Sequence, residues 1–198
     1  MKTVARLVAP VDSRDHIRGP KDAPVTIVEY GDFECAYSGQ AHYALQRLST
    51  DMPMFRLVYR HFPLTQIRPN ALAAALAAEA AAAQGAFWEM HDLLFEHQDS
   101  LEPESLIAYA QVLGLDVEQF IVDLTSDASA ANVREDFVSG LRSGVNGTPT
   151  FYINSERYDG SDEYDALKAA IEEAAKSRTR NVTKAKNIIT RGESGAQF

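Results

Sequence analysis

The sequence predicts an α/β fold whose sheet is interrupted by a block of helices, and three observations carry that expectation. Val25–Tyr30 is a nearly continuous apolar, β-branched run, followed by a helical stretch from Cys35 to about Thr50 and a second strand-like run, Phe55–His61. Residues 69–144 are helical in pattern throughout. The chain then returns to β at Thr150–Asn154 and Glu156–Tyr158 and closes on a helix over Ser161–Lys176.

Each element has a local reason. Residues 1–24 read as an irregular lead-in, because Gly19, Pro20 and Pro24 oppose a regular ladder. Val25–Tyr30 has the look of a central strand covered on both faces. With the following helix and strand it forms a right-handed βαβ unit over residues 25–68, whose ligand crevice lies at the strands' carboxyl ends. Residues 69–144 divide into helices at Asn70–Ala83, Ala86–Gln98, Glu102–Leu113, Val117–Leu124 and Ala128–Ser143, with breaks at Gly85 and Gly114 and Pro103 suited to a first turn. Phe87, Trp88, His91, Leu94 and Phe95 share neighbouring helical positions and read as core. Residues 145–176 supply the second half of the sheet layer: a hairpin turning at Asn154-Ser155, then a helix capped by Ser161 with Asp162 and Glu163 at its positive end. Residues 177–198 are a basic tail, read as a solvated terminus or a segment lying on the acidic body or on a second subunit.

Composition narrows the function. The 198 residues make one domain, or one domain with an insertion, and 45% hydrophobic with 24% charged residues is ordinary globular composition. A net charge of −9 argues for solubility and against a nucleic-acid surface. The single cysteine excludes an internal disulfide framework and a cysteine-based zinc site. Arg6 breaks the short apolar run at the start, so no export signal is expected; Leu72–Ala83 is apolar but holds Glu79 and is shorter than the ~20 residues of a membrane span. The expectation is a cytoplasmic protein or an excised soluble domain, without membrane insertion.

The chemistry centres on Cys35, placed where a strand gives way through Gly31-Asp32 to a helix. A sulfur there faces unpaired backbone N–H groups and the positive end of the helix dipole, which favour the nucleophilic thiolate. Ser38 lies three residues on, on the same helix face, so its hydroxyl is expected near the sulfur; no disulfide can form between them. Glu29 is an acid in an apolar strand, either buried, where its pKa would rise and it could exchange protons with the thiol, or turned to solvent at the strand end. The histidines build no alternative. His42 is two helical turns, ~10 Å, from Cys35, His91 and His97 point apart, and His61, near a strand end, suits packing or a surface role ahead of a place at the active-site rim. No metal-ligand spacing stands out.

The stretch Glu29-Tyr30-Gly31-Asp32-Phe33-Glu34-Cys35-Ala36-Tyr37-Ser38-Gly39-Gln40-Ala41 resembles the active-site signature of DsbA-like thioredoxin-fold proteins, whose usual form is G-D-F-E-C-P-Y-C-G-Q-A. Gly147-Thr148-Pro149-Thr150-Phe151-Tyr152-Ile153-Asn154 resembles their cis-proline loop and following strand. The likeness runs through Arg60-His61-Phe62-Pro63-Leu64 and Gln84–His91, covers about residues 15–175, and is nearest the subgroup also found fused to sodium/proton antiporters. It implies a thioredoxin fold with an inserted all-helical subdomain, thiol–disulfide exchange through Cys35 supported by Ser38 and Glu29, and substrate contacts at Ala36, Tyr37, Gly147, Thr148 and Pro149. It also implies a cis Thr148–Pro149 bond. Ala36 replaces the usual proline and Ser38 the resolving cysteine, either by nature or by design, so the expected behaviour is that of a monothiol. Such a protein forms mixed disulfides with protein thiols or with glutathione as co-substrate, and needs no resident cofactor. Two other readings stand beside it: a redox-inactive module that binds a peptide or partner, and a glutathione transferase of the kappa type.

Overall fold

The computed structural model describes residues 5–193; the side chains of Thr179 and of residues 181–193 fall outside the description. The chain runs β1 (His16–Arg18), β2 (Val25–Gly31), α1 (Ala36–Asp51), β3 (Phe55–His61), α2 (Ala71–Ala83), α3 (Phe87–Glu96), α4 (Pro103–Val112), α5 (Val117–Leu124), α6 (Asp127–Ser143), β4 (Thr150–Ile153), β5 (Glu156–Tyr158) and α7 (Tyr164–Glu193). The strands form one sheet in the order β1-β3-β2-β4-β5, with β2 and β3 parallel and the other neighbours antiparallel.

β2 lies at the centre of that sheet, as its nearly continuous apolar run requires. One face carries Val25, Ile27, Leu57, Phe151 and Ile153 against Ala41, Leu45 and Leu48 of α1 and Leu167 and Ile171 of α7. The other carries Val28, Tyr30, Val58 and Tyr152 against Phe62, Val145, Phe137 and, from the lead-in, Leu7 and Val11. Helices α2–α6 enclose their own core, in which Phe87, Met90, Leu94, Leu106 and Phe120 surround α2. The alanines of α2 are buried around most of its circumference, and side chains that small let several neighbouring helices approach one axis. α6 ends at Gly144, whose φ of 89° is a left-handed conformation that a residue without Cβ adopts freely, and Val145 N–H donates to Gly140 O at 2.9 Å. That turn delivers the chain to the loop before β4.

Two expectations need correction. The lead-in is not wholly irregular: His16–Arg18 adds an edge strand to β3, and Arg6 bridges to Glu156. A buried ion pair secures it, since Arg60 donates to Asp15 at 2.7 and 3.1 Å while also bonding Tyr30 Oη and the carbonyls of Ala9 and Pro10. The last helix starts at Tyr164 rather than Ser161, whose hydroxyl instead accepts from Glu163 N–H at 3.2 Å, and it continues past Lys176 to Glu193. Nothing between Lys176 and Arg191 is a glycine or proline, so the change of charge there does not stop it. Arg178 donates to the carbonyls of Ala23 and Pro24, laying that part of the tail on the body. The side chains of Lys184, Lys186 and Arg191, further cations of the tail for which a second subunit was one of the alternatives, lie outside the described residues. No helix of the described residues is long and apolar enough to cross a membrane.

Candidate functional site around Cys35

Cys35 is the N-cap of α1, with extended backbone angles (φ −91°, ψ 117°) and no side-chain cap bond. Its sulfur is held at the helix N-terminus and donates to Thr148 O at 3.2 Å. Thr148–Pro149 is a cis peptide. Thr150 Oγ1 donates to Gly147 O at 2.8 Å and braces the loop from the other side. The sequence-selected residues Cys35, Gly147, Thr148 and Pro149 are therefore brought together from positions more than a hundred residues apart. Cys35 is buried, Ala36 and Tyr37 beside it are exposed, and Gly147–Pro149 is half-buried.

The turn into α1 is built by polar side chains. Asp32, itself buried, accepts from Glu34 N–H at 2.9 Å through Oδ1, and from Leu64 N–H at 2.9 Å and Arg68 at 3.2 Å through Oδ2. Its carbonyl accepts from Cys35 N–H at 3.0 Å. Glu34 accepts from Asn70 N–H at 2.8 Å, tying the elbow to the start of α2. Gln98, just past α3, donates to Phe33 O at 2.6 Å and Cys35 O at 2.9 Å. Its carboxamide occupies the space that a Cβ on Gly39 would need, so only glycine fits there while Gln98 holds the turn. Sequence reasoning missed Gln98, and nothing in its local pattern could have shown it.

Ser38 is buried as well, but its hydroxyl accepts from Asp32 N–H at 3.4 Å. The expected bond to the sulfur is not among the hydrogen bonds of the described residues, in which Cys35 Sγ is paired with Thr148 O. Three-residue spacing brings the two residues to one helix face without fixing the hydroxyl rotamer.

Glu29 sits between Tyr59 of β3 and Phe151 of β4 and is 1% exposed, which decides between its two sequence readings. Its Oε1 has no hydrogen-bond partner, and burial, with the charge of Asp162 adding, pushes its pKa up to about 8. Glu29 shares a cavity of about 10 Å³ with His42 and His91. Burial pushes His42 down, and His91 down to about 3. Asp92, paired with Arg18, holds His91 Nδ1 at 2.9 Å, while Nε2 of both histidines is unpartnered. Tyr59 next to Glu29 is pushed well above its usual value by burial, with Glu29, Asp32, Asp136 and Cys35 all close enough to add to the effect. A carboxyl kept neutral at neutral pH in dry surroundings is a proton donor and, once ionised, a strong acceptor.

A parallel β2–α1–β3 unit extended by an antiparallel hairpin, with a helix-capping cysteine against a cis-proline loop, defines the thioredoxin-fold class. The chain matches the thioredoxin family over residues 12–173. It is 30% identical to a thioredoxin-like oxidoreductase from Silicibacter pomeroyi, with a TM-score of 0.76 over 83% of this chain and 94% of that one. For oxidised BdbD from Bacillus subtilis the values are 25%, 0.75, 88% and 100%. Among curated relatives it is 52% identical over 169 residues to the Na(+)/H(+) antiporter NhaA 1 of Salinispora arenicola, 85% of this chain and 26% of the antiporter. It is 47% identical over 177 residues to NhaA of Herminiimonas arsenicoxydans, 88% of this chain and 28% of that protein. The chain thus spans about a quarter of the length of these curated relatives. It belongs to the thioredoxin family, with a DsbA-like fold and with relatives in the antiporter-associated subgroup.

Proposed function

We propose that the chain performs thiol–disulfide exchange as a monothiol through Cys35. The observation that carries this reading is the sulfur at the N-terminus of α1, 3.2 Å from the carbonyl of Thr148 in the cis-proline loop. The Cys35 thiolate attacks one sulfur of a protein or peptide disulfide; that S–S bond breaks, a Cys35–substrate disulfide forms, and the second substrate sulfur leaves as a thiolate. Glu29, protonated at neutral pH, gives its proton to the Cys35 sulfur as that sulfur is released and, once ionised, takes it back from the thiol before the next attack. Exposed Ala36 and Tyr37 and the Gly147–Pro149 backbone receive the substrate chain. Ser38 cannot attack the mixed disulfide, so an external thiol such as glutathione does so, forming a new disulfide and regenerating Cys35.

Ser38→Cys tests the mechanism. With oxidised glutathione supplied as the terminal oxidant, the variant is expected to oxidise a dithiol substrate catalytically, while the parent shows weak or no turnover. Equal turnover in the two proteins would overturn the role given to Ser38. A redox-inactive partner-binding module is the second reading, and the 0% exposure of Cys35 favours it. Under that reading neither protein turns over substrate.

A further inference from the structure

A second group of ligating side chains lies away from the sulfur, where β1, β3 and α2 meet. His16 Nε2 and His61 Nε2 stand 2.7 and 2.9 Å from the same oxygen, Glu79 Oε1, and one ligating atom from each residue lies within 4.8 Å of the others. Glu79 Oε2 is fixed by Asn132 Nδ2 at 2.7 Å, so the carboxylate cannot swing away. Glu79 and His61 are buried, and the His16 side chain is 19% exposed. His16 and Glu79 open onto a cavity of about 100 Å³, also lined by Tyr59 and Asp136. The Tyr59 hydroxyl, on a residue 0% exposed, has no hydrogen-bond partner. The sequence gives no warning of this cluster, because its members come from three separate elements with no motif spacing.

We propose that His16, His61 and Glu79 bind one borderline divalent cation of the Zn²⁺ type. Two imidazole nitrogens and one carboxylate oxygen are the donor set such a cation takes, and two neutral imidazoles with one anion offset half of its charge. In the metal-free protein Glu79 Oε1 accepts both Nε2 protons; in the bound form the nitrogen lone pairs turn to the metal. Bonds of ~2.0–2.1 Å place tetrahedral ligands roughly 3.3 Å apart, so the cluster must open by about half an ångström. His16 can supply that movement. It lies on the edge strand, and its ring stacks on Phe87 with centroids 3.5 Å apart at 5°, a contact along which it can slide. The fourth position faces the cavity, where a bound water finds the unpartnered Tyr59 hydroxyl as a second contact. The cation would pin the lead-in strand, the sheet and the helical insertion to one another.

The test uses the full chain carrying Cys35→Ala, which removes the thiolate as a competing ligand, titrated with Zn²⁺ alone by calorimetry and by competition with a chromophoric chelator. The expected result is saturable binding of one Zn²⁺ per chain, weakened about ten-fold or more by His16→Ala and by Glu79→Gln. Co²⁺ in place of Zn²⁺ should give the intense visible bands of a tetrahedral site, lost in His16→Ala. Should Glu79→Gln fail to fold, the partly exposed His16 on its edge strand keeps the test decisive. Absence of one-to-one Zn²⁺ binding, an unchanged affinity in His16→Ala, or Ca²⁺ binding as tightly as Zn²⁺ would each overturn the proposal.

Discussion

Replacing Glu29 by glutamine should make the protein more stable at neutral pH, by an amount that grows as the pH rises. The carboxyl has an ordinary pKa of 4.5 in the unfolded chain and about 8 in the fold, where burial disfavours its charge. Between those values the folded state keeps a proton that the unfolded state has released, so stability falls with rising pH. At about pH 7 the solution stands about 2.5 units above the unfolded value and still below the folded one, so the loss accumulated from 4.5 upward is roughly 3.5 kcal/mol at ~1.4 kcal/mol per unit. Above pH 8 the whole shift applies and the loss reaches about 5 kcal/mol. Glutamine keeps the shape and cannot ionise, and the fixed cost of its unpaired amide does not change with pH. Urea denaturation of parent and variant at several values from about pH 5 to 7.5 should therefore give a stability difference that moves toward the variant by about 1.4 kcal/mol per pH unit. A difference constant across that range would refute the argument, since it would mean that Glu29 titrates alike in both states.

Two further substitutions test the scaffold. Asp15→Ala should cost about 3–5 kcal/mol in urea denaturation, because it strands the buried Arg60 guanidinium without its carboxylate; a loss below 1 kcal/mol would show that the carbonyls of Ala9 and Pro10 suffice. Gln98→Ala removes the donor shared by the Phe33 and Cys35 carbonyls and should cost about 1–3 kcal/mol while speeding alkylation of Cys35. Unchanged alkylation would show that Gln98 does not govern access to the sulfur.

Most of the sheet and of the helical block was legible in the chain itself. Val25–Tyr30 is nearly continuously apolar, Glu29 apart, because both faces of β2 are covered, and Gly85, Gly114 and Pro103 mark helix boundaries through backbone restrictions that act locally. Cys35 was conspicuous for its place at a strand-to-helix elbow, and Pro149 for preceding a strand. What escaped depends on the folded chain. β1 is three residues long and carries no periodicity; it is a strand only because β3 offers an open edge. The extension of α7 was hidden by a change of charge, which a helix tolerates where a glycine or proline would end it. Gln98 meets the Cys35 turn only once the helical insertion folds back over α1, and His16, His61 and Glu79 meet only at a three-element junction. Ser38 shows the limit of spacing arguments: the residue lies on the expected face, with its hydroxyl on Asp32 N–H.

The most direct test of the central claim is intact-mass measurement of the native protein after exposure to oxidised glutathione. Exchange at Cys35 predicts one glutathione adduct per chain, removed by a reducing thiol and absent from Cys35→Ala. A native chain that stays unmodified, while the urea-unfolded chain takes up the adduct, would contradict the account and show that burial keeps this sulfur out of exchange.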